Sequence, residues 1–320
     1  MNSIVGLILP LFGLIAAGYA AARFRAVGAE TLGALNFLVY YLALPALFFR
    51  LIVKAPDLIE GTSAFVITTT FATYCAFAIA FSIGALLNGG RVPEATVEGL
   101  AGAHSNVAYL APAVTLVAFG SAAAVPTALI FSFDNAMLTT LTPLMMALGG
   151  TVRANPQRIL QEIGRNVFLH PIVIATVLGL IVGNAGLTLP EPADALLTLV
   201  GAAAAPGALF ALGISLMLRP PGKVTLEMPA IVLVKLVAHP LIVYLLLSWV
   251  GGFDPIWVHT AVLLAALPPA MSVLSVARDY RAYDDHAFTT ILLGTVVSVV
   301  TLTVAVILIL NDLLPTDPFR

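Results

Sequence analysis

The chain reads as an all-α integral membrane protein, with ten transmembrane helices arranged as two inverted five-helix repeats. Three observations predict this. Of its 320 residues, 60% are hydrophobic and 9% charged, and the mean hydropathy is +1.05. Charge is confined to short gaps between apolar runs of about 20 residues, the length that crosses a hydrocarbon core about 30 Å thick. A proline and glycine pattern is also written twice at one offset. Pro10 and Pro171, Pro45 and Pro206, and Gly18 and Gly179 are each 161 residues apart, and Ala43–Phe49 reads against Ala204–Phe210. Finally, Lys and Arg are strongly biased to one side, and five spans per half turn the second half upside down.

The spans fall near 4–22, 34–53, 64–87, 97–118, 124–148, 168–187, 194–218, 229–250, 257–277 and 287–310. Continuous apolar runs argue for helices, because a barrel would alternate in segments of about 10 residues. The first run has no basic residue before it and is followed by Arg23 and Arg25, so it reads as an uncleaved helix rather than a signal peptide. The gaps after spans 1, 3, 5, 7 and 9 hold Arg23, Arg25, Arg91, Arg153, Arg158, Arg165, Arg219, Lys223, Arg278 and Arg281. The opposite gaps hold Arg50, Lys54 and Arg320. Ten against three predicts both termini outside the cytoplasm. Residues 1–150 form the first repeat and 168–320 the second. Between them, 151–167 reads as a cytoplasmic linker entering a short interfacial helix. No gap or terminus has room for a soluble domain. Cys75, the one cysteine, lies inside span 3, so neither an internal disulfide nor a cysteine metal site is expected.

Within each half the fourth span is interrupted. Span 4 is polar at its centre, from His104-Ser105-Asn106 to Pro112, and span 9 carries Pro268-Pro269 at mid-depth. Proline removes a backbone donor and clashes with the preceding turn. Freed backbone groups at that depth survive only when buried in protein or lining a wet cavity. Paired breaks in inverted halves point to a transporter binding site, and half-helix N-termini there suit an anion.

Asp134 in span 5 and Lys235 in span 8 are the strongly charged residues well inside spans. Each costs roughly 2.5–3.5 kcal/mol on insertion scales, so both should face protein or water. Lys235 reads either as an anion partner or as a structural or snorkelling lysine. Asp134, beside Asn135, reads as a proton- or ion-linked switch. The five histidines are scattered without ligand spacing. His170 and His239 each precede a proline and are expected to satisfy bent backbone, whereas His104 abuts the break and is a proton-coupling candidate. Asp284-Asp285-His286 reads as a helix start favoured by the dipole. There is no Walker loop and no Gly-x-Ser-x-Gly, so neither ATP hydrolysis nor lipase-type chemistry has its parts, and no cofactor or nucleic-acid partner is implied.

At Ala265–Tyr280, with its Leu-Pro break closing on Ala277-Arg278-Asp279-Tyr280, the chain resembles the auxin efflux carrier family of bacterial malonate-type permeases and plant auxin transporters. Asn106 with Pro112, and Ala205-Pro206 running to Phe210-Ala211-Leu212-Gly213, are also similar. The family usually has one more residue and a Gly between that Asn and Pro. Here Ala111 directly precedes Pro112, which leaves the register of span 4 open. The resemblance covers nearly the whole chain. It implies a scaffold of spans 1, 2, 6 and 7, a mobile transport domain of spans 3–5 and 8–10, elevator movement and a homodimer in the bacterial inner membrane. It also implies a small carboxylate substrate held by Asn106 and the segments around Pro112 and Pro268-Pro269, with Tyr109 and Ser272 lining the pocket and Asn135 nearby.

Two other classes compete. Bile-acid-type sodium symporters and cation/proton antiporters share ten helices and a crossover, but usually place more acids there than Asp134. A membrane ligand sensor would normally carry an output domain. An intramembrane enzyme fits least, because no nucleophile is paired with a base.

Overall fold

The computed structural model describes residues 2–25, 27–54, 61–151, 157, 161, 164–165, 169–316 and 318–319. The linker helix expected within 151–167, with Arg153 and Arg158, falls largely outside these residues, and Arg320 lies wholly outside them. The described helices are α1 (Asn2–Arg25), α2 (Ala29–Phe37), α3 (Leu44–Val53), α4 (Thr62–Leu87), α5 (Val92–Ala103), α6 (Val107–Phe119), α7 (Ala124–Leu148), α8 (Pro171–Asn184), α9 (Glu191–Ala202), α10 (Ala204–Met217), α11 (Glu227–Leu233), α12 (His239–Val250), α13 (Pro255–Ala265), α14 (Ser272–Asp279) and α15 (Asp284–Leu310). Among the described residues, six helical stretches are long and apolar enough to cross a membrane: Ala29–Val53, Thr62–Leu87, Val107–Leu148, Glu191–Met217, Glu227–Val250 and His286–Leu310. This is a multi-pass membrane protein, and helix lies at each of the ten predicted positions.

Local chemistry sets the helix ends. Asp254 accepts hydrogen bonds from the N–H groups of Ile256 and Trp257 at 2.8 and 3.4 Å, with Pro255 opening α13. The Nδ1 of His170 accepts from Ile172 N at 3.3 Å ahead of Pro171, so α8 starts three residues later than hydropathy suggests. Both caps satisfy orphan donors of a first turn. Two π-helical stretches, Leu38–Ala43 and Val234–Ala238, run directly into Leu44-Pro45 and His239-Pro240. A widened turn accommodates the donor that each proline lacks.

The chain divides into two compact units: Met1–Thr62, Val107–Ser132 and Phe168–Pro220 in one, Ser63–Asn106, Phe133–Val167 and Pro221–Arg320 in the other. In the first unit α1 packs on α10 at distances only glycine permits, and α3 packs closely on α8. A Cβ on Gly18 would lie 2.1 Å from the Phe210 carbonyl oxygen, and one on Gly213 would lie 2.0 Å from that of Ile15. A Cβ on Gly179 would lie 3.1 Å from the Phe49 carbonyl oxygen. Gly18 and Phe210 correspond, at the 161-residue offset, to Gly179 and Phe49, so the same close approach recurs with the two halves exchanged. Small residues of this kind let membrane helices meet backbone to backbone. At the end of α3, Arg50 grips Asp194 through Nε–Oδ1 at 2.7 Å and Nη2–Oδ2 at 3.3 Å, and Lys54 joins at 2.8 Å.

In the second unit α5 lies close against α4. A Cβ on Gly102 would sit 2.2 Å from the Ala80 methyl, and one on Gly99 would sit 2.7 Å from the Phe77 ring. Phe65 of α4 packs edge-on against Phe253 and Trp257.

Candidate functional site

Two helix interruptions in the second unit meet each other. α5 stops at Ala103, and His104 turns the chain into extended backbone (φ −77°, ψ 113°). α13 stops at Ala265 and α14 begins at Ser272, with Pro268-Pro269 between them. The freed backbone groups pair across the gap. Asn106 N donates to Pro268 O at 2.9 Å and Ala270 N donates to His104 O at 3.0 Å, making an antiparallel bridge centred on Ser105 and Pro269. Pro269 can occupy this place because α15 has Gly294 opposite it, where a Cβ would stand 2.5 Å from the proline ring. The cost of breaking two helices at mid-membrane is thus largely met by the breaks themselves.

The bridge aligns side chains that it does not satisfy. Asn106 and Ser105 are each 1% exposed and His104 is 5% exposed. Asn106 Nδ2, Ser105 Oγ and His104 Nδ1 are buried without a protein partner, as is Nδ2 of the half-buried Asn135. Such an unsatisfied group costs roughly 1–3 kcal/mol. Among these unpaired groups the Asn106 amide and the Ser105 hydroxyl are donors, which suit an acceptor such as a carboxylate. Ser272 is the first residue of α14, whose next two N–H groups, of Val273 and Leu274, bond the carbonyls of Ala270 and Met271 at 3.2 and 3.1 Å. Ser105 was not singled out by the sequence, although it stands between two residues that were.

Behind the break runs a buried chain of polar contacts. The Lys235 ammonium, fully buried on the π-helical turn, donates to the carbonyl oxygen of Ala265 at 2.5 Å and contacts His239 Nδ1 at 3.2 Å. His239 Nε2 lies 3.4 Å from Thr73 Oγ1, which lies 3.5 Å from Asp134 Oδ1 and 3.1 Å from the Thr69 carbonyl. With Lys235 as ammonium, His239 must accept at Nδ1 and donate from Nε2, so every contact from lysine to aspartate can point one way. Lys235 does not snorkel. It neutralises the negative end of α13 at the point where the double proline exposes it. His239, expected to satisfy backbone near Pro240, instead links Lys235 to Thr73. The signal for this was its i, i+4 spacing from Lys235.

Tyr109 and Pro112 belong to the first unit. The Tyr109 hydroxyl donates to Asn36 Oδ1 at 2.9 Å, and its ring meets Tyr40 edge-on with centroids 5.6 Å apart. Pro112 is buried inside α6, so the interruption of span 4 is at His104–Asn106 and not at this proline. Pro112 lacks an N–H and so leaves one intrahelical acceptor of α6 unpaired.

The chain matches the family model described as membrane transport protein over residues 3–306. It is also 43% identical over 319 residues, spanning the full length of both chains, to a protein of Rhizobium meliloti (strain 1021) named "Putative malonate transporter". The chain therefore belongs to the membrane transport protein family, the auxin efflux carriers whose break motif it carries.

Proposed function

We propose that the protein is a secondary carrier of small organic anions of the malonate or malate type, moving them by elevator-type alternating access. The observation that carries this reading is the bridged pair of breaks, with the donors of Asn106 and Ser105 buried and unused beside it. A carboxylate offers several lone-pair sites to such donors. Ser272 and Asn135 extend the same site.

The first compact unit holds spans 1, 2, 6 and 7, in keeping with the expected scaffold, together with Val107–Ser132 of spans 4 and 5. The exchanged Gly18–Phe210 and Gly179–Phe49 approaches support two repeats related by inversion. The lysine and arginine bias supports an inner-membrane orientation with both termini outside the cytoplasm, and a homodimer follows from the family pattern. The one-way chain from Lys235 to Asp134 favours a proton over sodium as any coupled ion, because the Ala265 carbonyl that could ligate sodium is already bonded to an ammonium.

The test is ligand-induced thermal stabilisation of the purified protein by malonate, malate and a neutral diester control. Stabilisation by the dianions, lost in Asn106→Ala, supports the site. Equal stabilisation of the wild type and Asn106→Ala overturns it.

A further inference from the structure

At another end of the second unit, away from the breaks, two glutamates are buried close to one tyrosine. Glu98 on α5 is fully buried and Glu227 at the start of α11 is 6% exposed. Glu227 Oε1 accepts from the Thr225 hydroxyl and from the Tyr283 hydroxyl, the latter at 3.0 Å. Glu98 Oε1 accepts from Asn88 Nδ2 at 2.6 Å, while its Oε2 is buried with no partner. That oxygen is pressed against α4 at Gly84, where a Cβ would fall 1.8 Å away. The glycine thus makes room for a carboxyl oxygen that has no hydrogen-bond partner of its own.

Among the described residues no ion pair reaches Glu98. Arg91 is taken by Glu94 at 3.0 Å, and Glu94 adds negative charge one turn before Glu98. From α15, His286 stacks on the Tyr283 ring, with centroids 5.1 Å apart, and acts electrostatically on Glu227. Thr290 bonds the phenol as well. Tyr283 sits in the turn joining α14 to α15 at φ +60°, with Arg281 at φ +52°, so two residues hold the left-handed backbone that favours glycine. Burial, and then the negative charge of both glutamates, holds the Tyr283 phenol well above its ordinary value, so it remains a donor.

We propose that Glu98 and Glu227 hold one proton in common, forming a proton-binding site with Tyr283 that is separate from the Asp134–Lys235 chain. Two buried carboxylates set around one hydroxyl are costly to ionise together, and a single proton relieves the repulsion. The charge bias assigns this end of the unit to the cytoplasmic side. Loss of the proton sets Glu98 against Glu227 across the hydroxyl that fastens the turn following α14. The site therefore reports cytoplasmic pH to the half-helix of the second break.

Infrared difference spectroscopy of the purified protein, titrated through neutral pH, tests this without any substrate. Its outcome is independent of whether the protein carries anions. We expect a protonated-carboxyl C=O band component that is lost in Glu98→Gln, shifted in Tyr283→Phe and retained in Asp134→Asn. Glu98→Gln is isosteric and keeps the contact at Gly84, and Tyr283→Phe gives a second reading if it unfolds. The proposal is overturned if that component is absent from the wild type, survives Glu98→Gln, or disappears in Asp134→Asn.

Discussion

Lys235→Met removes the cation behind the break while nearly preserving side-chain volume. The lysine is fully buried and donates to the Ala265 carbonyl at 2.5 Å and towards His239 at 3.2 Å. Its loss strips the C-terminal carbonyl of α13 and leaves Asp134, 5% exposed, with no compensating charge. Removing one member of a buried charge pair costs roughly 3–5 kcal/mol. In a folding unit of 150–250 residues, each kcal/mol moves the melting temperature by roughly 2–4 °C. The second unit falls in that range, so the expected drop is roughly 6–20 °C. Asp134→Asn alone should also destabilise. The double variant, with neither charge, should cost less than the sum of the two, with a coupling of roughly 0.5–3 kcal/mol. Unfolding of the purified single and double variants, followed by temperature and by SDS titration, closes the cycle. Additive effects, or Lys235→Met within about 0.5 kcal/mol of wild type, would refute the claim that the chain from Lys235 to Asp134 is one electrostatic unit.

Other outcomes follow from the same geometry. Replacing Pro268-Pro269 with Ala-Ala should let span 9 wind into a continuous helix, dissolving the bridge at Ser105, and should abolish flux in reconstituted vesicles while the protein stays folded; full flux would count against the crossover. Gly18→Val should force α1 away from α10, because a Cβ there meets the Phe210 carbonyl at 2.1 Å, costing about 1–3 kcal/mol or more, whereas Gly13→Val, with nothing within 4 Å, should be near neutral in the same melt. Tyr109→Phe should forfeit the bond to Asn36, about 0.5–1.5 kcal/mol, and raise the half-saturation concentration for uptake; unchanged uptake would return Tyr109 to a purely structural role.

Much of the architecture was legible because membrane crossing imposes strong, local constraints. Hydropathy located helix at all ten positions, and Pro268-Pro269 marked an interruption because a double proline cannot continue a helix. The 161-residue offset even anticipated a packing contact, since glycine at 18 and 179 is needed wherever the exchanged helix brings Phe210 or Phe49 close. The break in span 4 was less legible. Its proline, Pro112, lies inside α6, and the actual interruption at His104–Asn106 is made by polar residues whose extended backbone pairs with the distant segment Pro268–Ala270. Partnerships were the least legible. His239 and Thr73 look like ordinary helix residues until α4 and α12 are side by side, and Glu98 and Glu227 share a tyrosine that no spacing rule connects to them. Pairings of this kind depend on tertiary approach, which periodicity does not encode.

The most direct test of the proposed activity is uptake of labelled malonate into proteoliposomes under imposed pH, sodium or voltage gradients, with unlabelled carboxylates as competitors. A carrier of small organic anions predicts saturable uptake that dicarboxylates compete away, that an inward proton gradient accelerates, that is insensitive to sodium, and that falls to background in Asn106→Ala. Binding of malonate without flux in any gradient would contradict the account and point to a membrane sensor; flux driven by sodium alone would contradict the role given to the Lys235–Asp134 chain.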